Sequence, residues 1–217
     1  DASSNQNSAA TQFNWLQDDT DPDIGITTIA TDGYVSGSEL ASGFTITGAA
    51  VGANGQDVTV TYGGVTDADT VTIANGAWTM TMCDDEDCSG ISTQGLVAVT
   101  ATVEDAAGNE DSASGNGNQD TVVPTMTITA SQGSDGFTSS DAALSLTFTS
   151  SEATTTFAVG DISVNNCALT DFATTSTTVY TATCTATADG ATTIDVAADG
   201  YTDAVGNTNS VATQFNW

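Results

Sequence analysis

The side chains here able to hold a metal or move a proton at neutral pH are carboxylates and cysteines. The 217 residues carry 28 Asp and Glu and four Cys, with no Lys, Arg or His, for a formal net charge of −28. Nucleophile–base pairs built on His or Lys are therefore excluded. Two-carboxylate chemistry of the glycosidase kind needs one acid pair set apart from the rest. None stands out from the repeated acidic turns described below, so the chain reads as a non-enzyme.

The same balance limits partners. Nothing here can neutralise a phosphate, which argues against nucleic acid and against an anionic membrane surface. Carboxylates are seldom buried unless paired or bound to metal, and this chain has no cationic side chain to pair them with. A hard cation taking oxygen ligands, Ca²⁺ above all, would relieve both the burial cost and the summed repulsion.

The cysteines fall into two local pairs. Cys83 and Cys88 bracket the loop CDDEDC, while Cys167 and Cys184 lie in NNCALT and TATCTAT, which read as neighbouring strands. With no His and no CxxC spacing, zinc is disfavoured. An even count with one pair in each half points to two disulfides and an oxidising, extracellular compartment.

These groups are carried by a β-rich chain. Thr and Val dominate, Gly and Asp cluster at turns, and no stretch holds a 3.6-residue apolar period, so almost no helix is expected. No apolar run approaches the ~20 residues of a membrane helix. GFTITGAAV, DVTVTYGGV and LVAVTATVED alternate apolar with polar residues, as do TMTITA, ALSLTFTS and VYTATCTATA. Phe44, Tyr62 and Trp78 are expected in one core, and Phe148, Phe157, Tyr180 and Phe215 in another.

An internal repeat sets the domain plan. Residues 1–15, DASSNQNSAATQFNW, return as DAVGNTNSVATQFNW at 203–217, an offset of 203 − 1 = 202. A third turn of this kind, Asp105-Ala-Ala-Gly-Asn109, stands 105 − 1 = 104 residues after the first and 203 − 105 = 98 before the last. Both spacings suit an immunoglobulin-type sandwich. The expected organisation is therefore all-β, with two tandem immunoglobulin-like sandwiches end to end. Residues 1–15 form the last strand of a preceding repeat, 16–119 one domain with an acidic linker at 16–25, and 120–217 the other. The linkers LQDDTDPDIG and NQDTVVPT hold the two prolines in a D-x-x-x-P pattern, and short proline-bearing linkers restrict swing.

Two roles fit the D-x-x-G-N turns. Asp and Asn close turns with their own side chains, and Gly supplies a positive φ. Acid density favours more: Glu104, Asp105, Glu110 and Asp111 are expected at one domain end near Asp120, and Glu152 and Asp161 are candidates to join a site in the second domain.

With its repeat, its DAAGN turn and its D-x-x-x-P linkers, the chain resembles the bacterial immunoglobulin-like repeats of giant surface adhesins. The resemblance is closer over SSEATTTFAVGDISV, TIDVAADGYTDAVGN and TQFNW than over GFTITGAA and VTATVEDAAGN. It implies an extracellular extender whose partners are neighbouring repeats of the same chain, or identical chains in a fibre, with Ca²⁺ at domain junctions. Carried onto this sequence, Asp105 and Asn109 would meet Asp120 at one junction. Asp1 and Asn5 would meet Asp18, Asp19, Asp21 or Asp23 at another, and Asp203 and Asn207 would serve a linker beyond Trp217. Two alternatives stay open: a glycan- or surface-binding module using a flat Thr-rich face, and a subunit polymerising by strand exchange.

Overall fold

The computed structural model describes residues 14–84 and 87–217. Asp1 and Asn5, and most of the expected strand over 1–15, lie outside the described residues.

Alternation of β-branched and polar residues builds the strands. In the first half these are β1 (Asp23–Ile29), β2 (Tyr34–Ser36), β3 (Phe44–Val51), β4 (Asp57–Tyr62), β5 (Val65–Thr66), β6 (Val71–Thr72), β7 (Ala77–Met82), β8 (Gly95–Glu104) and β9 (Glu110–Asp120). β4 shows the rule, burying Val58, Val60 and Tyr62 and turning Asp57, Thr59 and Thr61 outward. One sheet runs β1-β3-β7 and the other β2-β9-β8-β4-β5, with β6 also on β4. Phe44, Tyr62 and Trp78 all lie in the core between them.

The second half holds β10 (Met126–Ala130), β11 (Ala143–Ser150), β12 (Ile162–Asn165), β13 (Cys167–Thr174), β14 (Val179–Ala186), β15 (Thr193–Val196) and β16 (Phe215–Asn216). Their sheets run β10-β11-β14-β13 and β12-β15-β16. A separate core holds Phe148, Phe157, Tyr180 and Phe215. Both disulfides form: Cys83–Cys88 closes the loop after β7, and Cys167–Cys184 ties β13 to β14.

Among the described residues one α-helix interrupts the β pattern, α1 (Gly37–Ser42). Six residues are too few to be stable alone, but a capping box supports them. The Ser36 side chain accepts from the Glu39 N–H, and the Glu39 carboxylate accepts from the Ser36 N–H at 2.9 Å. Among the described residues no helix is long and apolar enough to cross a membrane.

Register decides which loops share an end. Asp23 pairs with Val51, Glu104 pairs with Glu110, and the Ile24 N–H donates to the Asp111 carboxylate at 2.9 Å. The linker before β1 and the Asp105 turn therefore share the entry end of the first sandwich. Ser36, Met82, Gly95 and Asp120 share the exit end, since β2 runs parallel to the last residues of β9 with Ser36 opposite Asp120.

Candidate metal centre at the junction between the sandwiches

Asp120 is the last residue of β9 and the first of the linker. Its neighbour Gln119 is buried, accepts from the Tyr62 hydroxyl at 3.0 Å and donates to the Thr93 carbonyl at 2.6 Å. That anchor fixes where β9 ends. Beyond it the Asp120 carboxylate accepts from the Val122 N–H at 3.0 Å, closing an Asx turn. The Pro124 carbonyl then accepts from the Ser210 N–H at 3.0 Å.

The turn Asp203–Asn207 meets this linker. One Asp203 oxygen accepts from the N–H groups of Val205 and Asn207, both at 2.9 Å, and the other accepts from the Asn207 side chain at 2.8 Å. The Asn207 amide also donates to the Asp120 carbonyl at 2.9 Å. Glu152, two residues past β11, completes the group. Asp120, Glu152 and Asp203 each offer one carboxylate oxygen within 4.8 Å of the others. Asp203 is buried and the other two are half-buried.

Three carboxylates so close, in a chain without a basic residue, repel one another. Burial first, then the charge of Asp120 and the contact and charge of Asp203, push the Glu152 carboxyl up to about 7. Its Oε2 is buried without a hydrogen-bond partner. An oxygen-only, anionic set with an orphaned ligand atom fits Ca²⁺ and suits zinc or a soft metal poorly.

The Asp105–Asn109 turn has the same internal bonds. Asp105 accepts from the N–H groups of Ala107 and Asn109 at 2.8 and 2.9 Å, and from the Asn109 side chain at 2.9 Å. The Asn109 side chain, then its backbone and those of Ala107 and Gly108, hold the Asp105 carboxyl below its usual range. Asn109 reaches the carbonyls of Asp18 and Thr20, both at 3.3 Å. Asp18 thus stands to the first turn as Asp120 does to the second.

This changes the expected partnerships. Asp105 and Asn109 do not meet Asp120, because the 11 residues of β9 separate them, about 35 Å of extended chain. Asp203 and Asn207 hold the linker that precedes their own sandwich. Glu104 is exposed at the end of β8, Asp19 and Asp21 are exposed in the entry linker, and Asp23 is exposed at the start of β1. Glu152 joins the junction. Asp161 instead accepts from the Ala158 N–H at 2.8 Å, before a short 3₁₀ turn.

The sequence model of the bacterial Ig-like domain family matches residues 120–217. Among solved structures, a Ca²⁺-stabilized adhesin with which an Antarctic bacterium binds ice is 23% identical, with a TM-score of 0.52 over 90% of this chain and 48% of that one. A 1.5-MDa bacterial ice-binding adhesin is 20% identical, with a TM-score of 0.51 over 91% of this chain and 64% of the other. The chain thus spans about half of the first and under two thirds of the second, and the likeness is one of fold. A bacterial immunoglobulin-like domain from the M. primoryensis ice-binding adhesin is 28% identical over 45% of this chain and 95% of its own, with a TM-score of 0.32. No curated protein matches the chain. The match to the bacterial Ig-like domain family thus falls on residues 120–217, the segment that forms the second sandwich and carries the Asp203–Asn207 turn.

Proposed function

We propose that this chain is a structural segment of an extracellular tandem Ig-like stalk, with 16–119 and 120–217 as alternating domains. Ca²⁺ held by Asp120, Glu152 and Asp203 stiffens the junction between them. The observation that carries this is the meeting of three carboxylates from a linker, a strand end and a turn, with no cation in the chain to balance them. A bound ion would discharge the cluster and tie the end of β9 to the second sandwich through its ligands. The two disulfides accord with an oxidising exterior. The likeness to adhesin structures supports an extender role, with neighbouring repeats as the principal partners. A second junctional site, at the entry end, would draw on Asp105 and Asn109 with Asp18, Asp19 or Asp21.

Calorimetric titration with Ca²⁺ and thermal unfolding in Ca²⁺ and in EDTA test this. At 100 times the dissociation constant the ion adds about 2.7 kcal/mol. That is a rise of roughly 10 °C or more for a domain of this size. Equal melting temperatures in Ca²⁺ and EDTA, with no heat of binding, would reduce the D-x-x-G-N sequences to turns.

A further inference from the structure

Asn207 is held from both sandwiches at once. Its side-chain N–H groups go to Asp203 and to the Asp120 carbonyl, and its Oδ1 accepts from the backbone N–H of Gly37, the first residue of α1, at 2.8 Å. Gly37 has no side chain to intervene; a Cβ there would lie 3.3 Å from that oxygen and 3.7 Å from Thr121 Cβ. Alongside, the start of the linker is pinned to the first sandwich. Gln94 of the first sandwich accepts from the Thr121 N–H at 3.0 Å and donates from its Nε2 to the Thr121 hydroxyl. Only the bond from Asn207 to Asp203 involves a carboxylate oxygen of the cluster; those at Gly37, the Asp120 carbonyl and Gln94 do not.

We infer that Gly37 and Gln94 form a clasp that fixes the second sandwich against the first without any cation. α1 exists to aim the Gly37 N–H. Its capping box engages the N–H groups of Ser36 and Glu39, while that of Gly37 is directed across the junction. The inference builds on the Ca²⁺ reading only in saying what persists once the ion is removed. Chelation then relaxes the carboxylate cluster but leaves the orientation that the clasp sets, so the ion adds stiffness to a junction that is already aligned.

Residual dipolar couplings on the 217-residue chain measure this directly, since rigidly joined sandwiches share one alignment tensor. The variants are Gly37→Pro and Gln94→Ala, alone and together. Pro suits the first helical position, and Ser36, at φ −80° and ψ 169°, already has the backbone a following Pro requires. Gly37→Pro therefore removes the donor and keeps the helix; unchanged chemical shifts in β3 and β8 verify folding, and Gln94→Ala opens the clasp independently.

The expected result is one tensor for the wild type in both Ca²⁺ and EDTA, and two for the double variant in EDTA. Two tensors for the wild type in EDTA would overturn the clasp, as would one tensor for the double variant in EDTA. Ca²⁺ returning the double variant to one tensor shows the clasp and the ion as separate ties. A double variant that stays split with Ca²⁺ leaves the clasp as the tie and counts against the ion.

Discussion

The side-chain amide of Asn207 donates to the main-chain carbonyl of Asp120 at 2.9 Å, joining the last turn of one sandwich to the last strand of the other. Asn109 repeats the relationship with Asp18 at 3.3 Å, on an exposed linker. Asn207→Ala leaves a buried Asp203 oxygen short of a donor, at a cost of about 1–3 kcal/mol to the second sandwich. Asn109→Ala costs less. Urea unfolding of both variants, followed by probes in each sandwich, gives the ranking; equal effects would mean the junction contributes nothing.

Glu152→Gln separates ligand from structure. Removing one of three mutually repelling charges raises the melting temperature in EDTA. Ca²⁺ affinity, which follows ligand charge, falls about tenfold or more. A variant that binds Ca²⁺ as tightly as wild type in calorimetry would place the ion elsewhere.

The pH dependence in EDTA has a definite sign. With the Glu152 carboxyl near 7 in the fold against 4.5 for the free group, the native state keeps a proton that the unfolded chain releases between those values. Its contribution is complete below 4.5 and is lost as pH rises to 7. Asp105, held low, acts oppositely, adding stability above 3.8 that disappears on acidification. Denaturation midpoints without Ca²⁺ should be lower at pH 8 than at pH 5. Glu152→Gln removes the part of that difference due to this carboxyl; an unchanged slope in the variant would deny Glu152 the role.

Gly48→Ala tests the first core. A Cβ at this position would lie 2.0 Å from the Gly25 carbonyl oxygen and 2.3 Å from the Trp78 ring. Both neighbours are confined, one being backbone and the other buried, so a loss of about 3 kcal/mol is expected. Only the first sandwich's unfolding transition should move.

Opening Cys167–Cys184 by a double Ala substitution frees a loop with a sequence separation of 17. The expected cost to the second sandwich is about 3 kcal/mol on chain-entropy grounds. Cys83–Cys88 spans only 5 residues and its removal should cost less. Thermal unfolding of the two double variants compares them.

Much of this architecture was legible beforehand because it rests on period-two alternation. Val58, Val60 and Tyr62 face inward in β4, and Leu144, Leu146 and Phe148 do so in β11. The cysteine pairs were legible from spacing and strand adjacency. The junction was not. Asp105 precedes Asp120 closely in sequence, but β9 carries the chain back across the sandwich between them, so proximity along the chain misassigns the turn. Pairing the turn with the linker ahead of its own sandwich requires the sheet register. The helix α1 was missed because six residues carry no periodicity, although Ser36-Gly37-Ser38-Glu39 is a capping-box signature. Gln94 had no signal at all, since a side-chain amide in a loop gains meaning only from the linker it faces.

The long pairing of the last strand of the first sandwich sets how that sandwich responds to being pulled. The first sandwich is entered at Asp23 and left at Asp120, at opposite ends, and β9 lies against all 10 residues of β8. Force along the axis shears this ladder, whose bonds lie across the pull and must fail together. In the second sandwich the Cys167–Cys184 bond joins β13 to β14, so the residues between the two cysteines cannot be drawn out even if that sandwich opens under load.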